Sequence, residues 1–319
     1  MSSAAHKPGI PNSARSVATL EDKLTLAPNG APRQKITAAT LKDKKRSREP
    51  ITCLTAYDYA TARLLDEASI DILLVGDSLA MTMLGYENTL SVTVDEMLHH
   101  AKAVRRAVRT ALLVVDMPYG SYHVGADDAV RHAVRFMKEA NAEAVKIEGG
   151  ENRADTIRRV IDAEVPVCGH IGLTPQSVHR MGGYKVQGTM LADIEQLTRD
   201  ALALEGAGVA AIFLEAIPRE VAAMITAEVS VPTIGIGAGP DCDGQVLVIH
   251  DLLNLSFAPP AKFVRRYADT AAEITRAVAA YRADVLARAY PSDIESYHLS
   301  SETRQALESF LERKNTLRR

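Results

Sequence analysis

From residue 50 onward, short apolar runs alternate with longer segments in which apolar positions recur every three or four residues. The runs are continuous stretches of Val, Ile and Leu, which is typical of parallel strands covered on both faces. The longer segments have the periodicity of helices packed on such a sheet. The runs are PITCLTA, DILLVGD, TALLVVD, AEAVKIE, VPVCGHIG, AAIFLEA, VPTIGIGA and QVLVIHD. The alternation predicts an α/β fold, a (βα)8 TIM barrel.

Five apolar runs end in a polar residue at the point where the strand pattern stops. These residues are Asp77, Asp116, Glu148, His170 and Glu215. In a parallel barrel the C-terminal ends of all strands open on one face, and that face holds the active site. The pattern therefore predicts a single pocket lined by carboxylates, a histidine and a lysine, Lys146.

The segments outside the strand and helix alternation suggest further organisation. Residues 1–34 have the composition of a flexible leader, and Thr37 is the predicted N-cap of a short helix after it. The long polar stretch from residue 170 to 190 is predicted to be a lid, with Tyr184 and Lys185 as possible pocket residues. The glycines of GIGAG, at 235–239, suit a phosphate-binding turn, a close backbone approach to a ligand or a tight turn.

Composition excludes several classes of protein. A net charge of -3 argues against general nucleic-acid binding, and no apolar run is long enough to predict a membrane-spanning helix. Three scattered cysteines are too few for a disulfide framework or a zinc knuckle, which fits a reducing cytosol. The N-terminus lacks the hydrophobic core of a secretory signal, so we expect a cytoplasmic protein.

The two aspartates at the ends of the second and third runs form a candidate metal site. Adjacent strands lie about 4.8 Å apart, so Asp77 and Asp116 can share one cation. Oxygen ligands without His or Cys partners point to Mg²⁺ rather than Zn²⁺. The alternative is that each aspartate only caps the turn or helix that follows it.

Three further positions carry candidate chemistry. Lys146 and Glu148 are two residues apart on one strand and share a face, either as a substrate clamp or as a structural ion pair. Lys146 could also form a Schiff base, although nearby acids favour its charged form. Glu215 ends a strongly apolar run, which suits a general acid or base as well as a helix-capping role. His170 could contact substrate or support the loop after it.

Several segments together resemble ketopantoate hydroxymethyltransferase. They are TAYDY, LLVGDSL, DMPYGSY, VKIEGG, VPVCGHIGLTPQS, GGYKVQG, LEAIP and IGIGAG, and the resemblance covers residues 35–298. Residues 299–319 lie beyond it and are predicted to form a C-terminal helical extension. The resemblance implies a barrel of the phosphoenolpyruvate/pyruvate-binding type, often assembled as a homodecamer. It also implies Mg²⁺ at Asp77 and Asp116, with Glu148 at the metal site. Substrate binding would involve Asp77, Ser78, Asp116 and Lys146, and Glu215 would transfer the proton.

The reaction implied by the resemblance is a one-carbon transfer. A hydroxymethyl group would pass from 5,10-methylenetetrahydrofolate to 3-methyl-2-oxobutanoate through a Mg²⁺-stabilised enolate, giving 2-dehydropantoate for pantothenate and coenzyme A biosynthesis. The alternatives are a Mg²⁺-dependent lyase or mutase for 2-oxo acids, a class I aldolase using Lys146, and a silent scaffold that assembles through its terminal helices.

Overall fold

The computed structural model describes residues 33–316. Eight parallel strands close into a barrel in chain order, with β8 paired to β1. The predicted fold class is confirmed. The strands are β1 (Ile51–Thr55), β2 (Ile72–Val75), β3 (Leu112–Asp116), β4 (Ala144–Glu148), β5 (Val167–Gly172), β6 (Ala211–Glu215), β7 (Thr233–Ile236) and β8 (Gly244–Leu247).

Helices alternate with these strands. They are α1 (Ala38–Ser47), α2 (Tyr59–Glu67), α3 (Leu79–Thr82), α4 (Val94–Ala107), α5 (Ala126–Ala140), α6 (Ala154–Asp162), α7 (Val178–Met181), α8 (Leu191–Ala207), α9 (Arg219–Glu228), α10 (Ile249–Leu252), α11 (Thr270–Leu286) and α12 (Ser301–Thr316). Short 3₁₀ turns lie at Thr89–Ser91, Glu151–Arg153 and Pro175–Ser177. Over residues 33–316, no helix combines the length and apolar character that a membrane crossing requires.

Side-chain caps set the start of several helices. The Thr37 hydroxyl accepts a hydrogen bond from the backbone N–H of Thr40, which confirms the predicted N-cap of α1. Thr93 and Glu96 form a reciprocal capping box at the start of α4. These local signals determine where the helices begin without help from distant residues.

The barrel interior is filled by apolar side chains from all eight strands, and α1 lies at its N-terminal end. Leu41 of α1 is fully buried and joins the core together with Ile36. The Ile36 N–H donates to the carbonyl of Thr110, just before β3, at 2.8 Å. This end of the barrel is therefore closed by the chain segment that precedes β1, which leaves the opposite end for the pocket.

Three strand ends differ from the predicted pattern. β2 stops at Val75, so Asp77 lies two residues beyond the strand. β5 continues to Gly172, so His170 lies inside the strand rather than at its end. The eighth run was predicted to be a strand as far as Asp251, and this is wrong from residue 248, because β8 ends at Leu247. The Ile249 N–H then donates to the Thr55 hydroxyl at 2.9 Å, and α10 begins.

The described residues form two compact units, the larger of which contains the barrel and extends to residue 252 with 256–266. The smaller comprises 253–255 and the chain from 267 onward, with α11 and α12. In it, Asp269 caps α11 and accepts a hydrogen bond from the Asn254 amide at 2.7 Å. The predicted division at residue 298 stays a prediction, and the predicted leader lies outside the described residues except for its last two.

Candidate active site

The C-terminal ends of β2 to β6 bring the predicted residues into one cavity of about 940 Å³. Asp116, Glu148 and Glu215 are the last residues of β3, β4 and β6. Strand register pairs Asp116 with Lys146, and Glu148 with His170. The cavity wall contains all nine predicted site residues, namely Asp77, Ser78, Asp116, Lys146, Glu148, His170, Tyr184, Lys185 and Glu215.

Asp77 and Asp116 are in direct contact and both are buried. The backbone N–H of Asp77 donates to Asp116 Oδ2 at 3.0 Å, and Lys146 Nζ donates to Asp116 Oδ1 at 2.6 Å. Both carboxylates line the cavity, and the short helix after Asp77 has no side-chain cap. The geometry thus favours the paired-carboxylate interpretation over two independent caps.

The charges in this cluster are unbalanced. Burial, together with the nearby carboxylates of Asp116 and Glu148, raises the pKa of Asp77 well above its usual value. Burial disfavours the ammonium of Lys146, but the surrounding carboxylates outweigh it and raise the pKa of Lys146 above its usual range. The surroundings therefore favour the charged form of Lys146 and disfavour the charged form of Asp77.

His170 lies between two carboxylates. Its Nδ1 is 3.5 Å from Glu148 Oε1, and its Nε2 is 3.2 Å from Glu215 Oε2. Neither ring nitrogen forms a hydrogen bond with its carboxylate, so the two contacts are electrostatic. Burial and the charge of Lys146 disfavour the imidazolium, but the two carboxylates prevail and raise the pKa of His170 to about 9. His170 thus connects the Glu148 and Glu215 sides of the cavity.

Glu215 is the most accessible carboxylate of the cluster, with a side chain 19% exposed. Its backbone lies against Gly172, whose φ is +93° and where a Cβ would come within 2.3 Å of the Glu215 carbonyl oxygen. Only glycine fits this contact between β5 and β6. A carboxylate that is partly open to the cavity and supported by a tight backbone contact can exchange a proton with a bound substrate.

Ser78 is held by a residue that the sequence interpretation did not select. The hydroxyls of Tyr57 and Ser78 are 2.8 Å apart, and Tyr57 is buried with its pKa raised to about 12 by burial. Gly76 makes room for this arrangement, since a Cβ there would lie 2.9 Å from Ser78 Oγ. Tyr57 belongs to the TAYDY segment, one of those that carry the family resemblance, and this was the sequence signal that could have identified it.

Gln176 is the second residue that sequence reasoning missed. Its side-chain amide donates to Asp77 Oδ2 at 2.9 Å and to the Met117 carbonyl at 3.0 Å, and its backbone N–H donates to Glu148 Oε2 at 3.1 Å. Its side-chain Oε1 accepts a hydrogen bond from the Tyr122 hydroxyl at 2.6 Å. Gln176 therefore fixes two of the carboxylates, and its place in the GLTPQS segment was the only hint.

The GIGAG turn packs against side chains. A Cβ at Gly237 would lie 2.6 Å from the ring of Phe263, and one at Gly239 would lie 2.6 Å from Arg219 Cγ. Both glycines have a positive φ, +63° and +80°, which fits the tight-turn alternative. The turn therefore shapes one wall of the cavity.

Similarity to known sequences covers most of the chain. The sequence profile described as ketopantoate hydroxymethyltransferase matches residues 35–293. The chain is 71% identical over 287 residues to a 3-methyl-2-oxobutanoate hydroxymethyltransferase of Koribacter versatilis (strain Ellin345), covering 90% of this chain and 97% of that protein. Similarity of this extent includes every residue of the cavity.

Solved structures share the fold at much lower identity. A phosphoenolpyruvate phosphomutase from Streptomyces platensis subsp. rosaceus matches with a TM-score of 0.53 and 16% identity, covering 89% of this chain and all of that one. A phosphonopyruvate hydrolase in complex with oxalate and Mg²⁺ matches with a TM-score of 0.52 and 14% identity, covering 89% of this chain and 99% of that one. Profile, relative and fold agree, and the chain is an enzyme that belongs to the ketopantoate hydroxymethyltransferase family.

Proposed function

We propose that this enzyme converts 3-methyl-2-oxobutanoate, 5,10-methylenetetrahydrofolate and water to 2-dehydropantoate and tetrahydrofolate. The observation that carries the proposal is the cavity in which a carboxylate pair, a charged lysine and a partly open glutamate converge. The family and the name of its 71% identical relative supply the substrate. The product is an intermediate of pantothenate and coenzyme A biosynthesis.

The donor set fits Mg²⁺ as the cofactor. Among residues 33–316, no group of three His, Cys, Asp or Glu side chains is already arranged as a closed metal site. Mg²⁺ does not need one, since it commonly binds through one or two carboxylates and keeps open positions for substrate oxygens and water. Asp77 and Asp116 would hold it, with Glu148 beside them, and the raised pKa of Asp77 reflects a negative charge that a cation would offset.

When bound, Mg²⁺ supplies Lewis-acid stabilisation of the enolate charge. Lys146 Nζ, at 2.6 Å from Asp116, is placed to hold an oxygen of the 2-oxo acid, and the Ser78 hydroxyl, fixed by Tyr57, binds a second one. Together they would orient the C3–H bond of the substrate toward Glu215. Because the surrounding carboxylates keep Lys146 protonated, it is a poor nucleophile for a Schiff base.

Glu215 is the proposed general base. Its carboxylate would remove the C3 proton. C3 would then bond to the methylene carbon of the folate as the bond from that carbon to one folate nitrogen breaks. Water would cleave the second carbon–nitrogen bond, leaving its oxygen as the hydroxyl of the new hydroxymethyl group and releasing tetrahydrofolate. His170, 3.2 Å from Glu215 Oε2, would hold the carboxylate in place during proton transfer. A positioned base of this kind typically contributes about 10²- to 10⁴-fold to the rate.

Hydrogen–deuterium exchange at C3 of 3-methyl-2-oxobutanoate tests this proposal without folate. We expect exchange that depends on Mg²⁺, and Glu215→Gln should slow it about 10²-fold or more while Mg²⁺ binding is retained. Exchange that is indifferent to the metal would refute the proposal, and loss of metal binding in Glu215→Gln would refute the assigned role. Borohydride trapping of a Lys146 adduct would instead favour a class I aldolase.

The assembly and location of the enzyme complete the proposal. By family resemblance we propose a homodecamer in the cytoplasm, without a nucleic-acid or membrane partner. Light scattering coupled to size-exclusion chromatography measures the assembly directly. A mass well below ten times the 34.5 kDa of one chain would reject the decamer.

A further inference from the structure

The catalytic cavity is larger than a small 2-oxo acid requires. Its volume of about 940 Å³ lies near the upper end of the range of about 300–1,000 Å³ for small-molecule sites. The carboxylates, the lysine and the histidine of the catalytic cluster come from the continuous arc of strands β2 to β6. Most of the remaining wall comes from the segments that follow β5, β6, β7 and β8.

This second part of the wall is mostly apolar and has basic residues among its members. It includes Tyr184, Val186, Ile217, Pro259 and Phe263, with Lys185 and Lys262 beside them. We call it the distal wall. Aromatic and aliphatic surface next to cations suits a flat ring system that carries carboxylates.

We propose that the folate co-substrate binds against the distal wall, with its aromatic rings on Tyr184 and Phe263 and its glutamate carboxylates at Lys185 and Lys262. The inference rests on the proposed function, since the methylene carbon must reach the carbon that Glu215 deprotonates. The arc from β2 to β6 is taken up by the groups that hold the oxo acid. The folate therefore approaches from the distal side of the same cavity.

Phe263 is a rigid part of this wall. Gly237 has a φ of +63°, and a Cβ there would come within 2.6 Å of Phe263 Cδ1 and 3.1 Å of Cγ and Cε1. The ring thus lies against the bare backbone of the turn after β7. An aromatic ring held in this way offers a fixed surface to a planar ligand at little entropic cost.

Tyr184 lies between the distal wall and the catalytic carboxylates. Its side chain is half exposed, yet burial together with the charges of Asp77 and Glu215 raises its pKa. Tyr184 lines the same cavity as these two carboxylates. A ligand that contacts Tyr184 can therefore also reach the substrate.

The basic residues of the distal wall differ in how much of their charge is available. Arg219 is paired with Asp241, with Nε 2.6 Å from Oδ2. Within residues 33–316, neither Lys185 nor Lys262 forms an ion pair with a carboxylate, and both are exposed. These two lysines are consequently the cations that remain for an anionic ligand.

A second cavity, of about 480 Å³, is the competing location. It shares Glu148 with the catalytic cavity and is lined by Gln176, Arg153 and Arg180. Neither Lys146 nor Glu215 lines it, and the hydrogen bonds of Gln176 to Asp77 and Tyr122 form part of the partition. A folate there would not face the base, so this cavity provides the control.

Equilibrium dialysis with tetrahydrofolate, as the monoglutamate and the triglutamate, tests the inference. In the double variant Lys185→Gln and Lys262→Gln, we expect the Kd to rise about three- to tenfold, and more for the triglutamate. The variant Phe263→Leu should also raise the Kd, because it removes the ring but keeps apolar bulk. The matched control Arg180→Gln, which removes a cation from the second cavity, should leave the Kd unchanged.

The outcomes separate this inference from the proposed function. An unchanged Kd in the double lysine variant, or a raised Kd in Arg180→Gln, overturns the distal-wall site. If the wild-type enzyme still catalyses Mg²⁺-dependent C3 exchange in that case, the proposed function stands and only the folate position is wrong. Absence of C3 exchange in the wild-type enzyme would instead refute the proposed function.

Discussion

The two ends of the barrel both bury charged side chains, but they balance them differently. At the N-terminal end, Asp71 Oδ1 pairs with Arg33 at 3.0 Å and with Lys44 at 3.2 Å. Its Oδ2 accepts hydrogen bonds from the N–H and the hydroxyl of Thr52, both at 2.9 Å. Both oxygens of this carboxylate are therefore matched by protein groups.

At the C-terminal end, Asp77, Asp116 and Glu148 surround a single lysine. Asp77 accepts a hydrogen bond from the neutral side-chain amide of Gln176, and the carboxylates of Asp116 and Glu148 lie close to it. The difference indicates that the N-terminal end is organised for stability, while the C-terminal end keeps negative charge available for a ligand. This division agrees with the usual roles of the two faces of a TIM barrel.

The largest expected effect comes from removing the charge of Asp77 with Asp77→Asn. Activity should fall about 10³-fold, because a buried metal and substrate ligand is lost. The melting temperature of the metal-free protein should not fall, since the substitution relieves repulsion with Asp116 and Glu148. Steady-state kinetics and calorimetry in a chelator measure the two effects. A marked loss of stability would show that protein groups balance the charges at the C-terminal end, as they do at the N-terminal end.

The same isosteric change at the opposite end, Asp71→Asn, should give the reverse result. It leaves Arg33 and Lys44 without their shared carboxylate, and breaking a buried pair typically costs about 3–5 kcal/mol of unfolding free energy. Urea denaturation measures this loss, while kcat of the folded enzyme should stay close to that of the wild type. The comparison between the two ends fails if Asp71→Asn is as stable as the wild type.

A smaller effect is expected from pH through His170. Its pKa is raised from 6.5 to about 9 in the folded protein, so its stabilising contribution is fully present below pH 6.5 and disappears as the pH rises through 9. The melting temperature of the metal-free wild type should therefore decline over this range. His170→Gln should decline less, whereas Asp71→Asn should keep the wild-type slope. Equal slopes in the wild type and His170→Gln would contradict the charged state of His170.

The local patterns predicted much of the site as well as the fold. Asp116, Glu148 and Glu215 could be placed because an apolar run that ends in a carboxylate residue can be recognised in the sequence itself. The end of β5 was predicted at His170, two residues early, because it depends on Gly172 and its contact with the Glu215 backbone. Tyr57 and Gln176 were missed, since their importance comes from hydrogen bonds to Ser78 and Asp77 that link distant parts of the chain.

The amino-acid sequence by itself determined the order of strands and helices, the capped start of α1 and the set of residues at the C-terminal face. These features depend on periodicity and on neighbours a few residues away. Only the tertiary structure decided which charges are balanced and which are not. Burial and distance set the pKa of a side chain, and the groups that control Asp77 and His170 come from different strands.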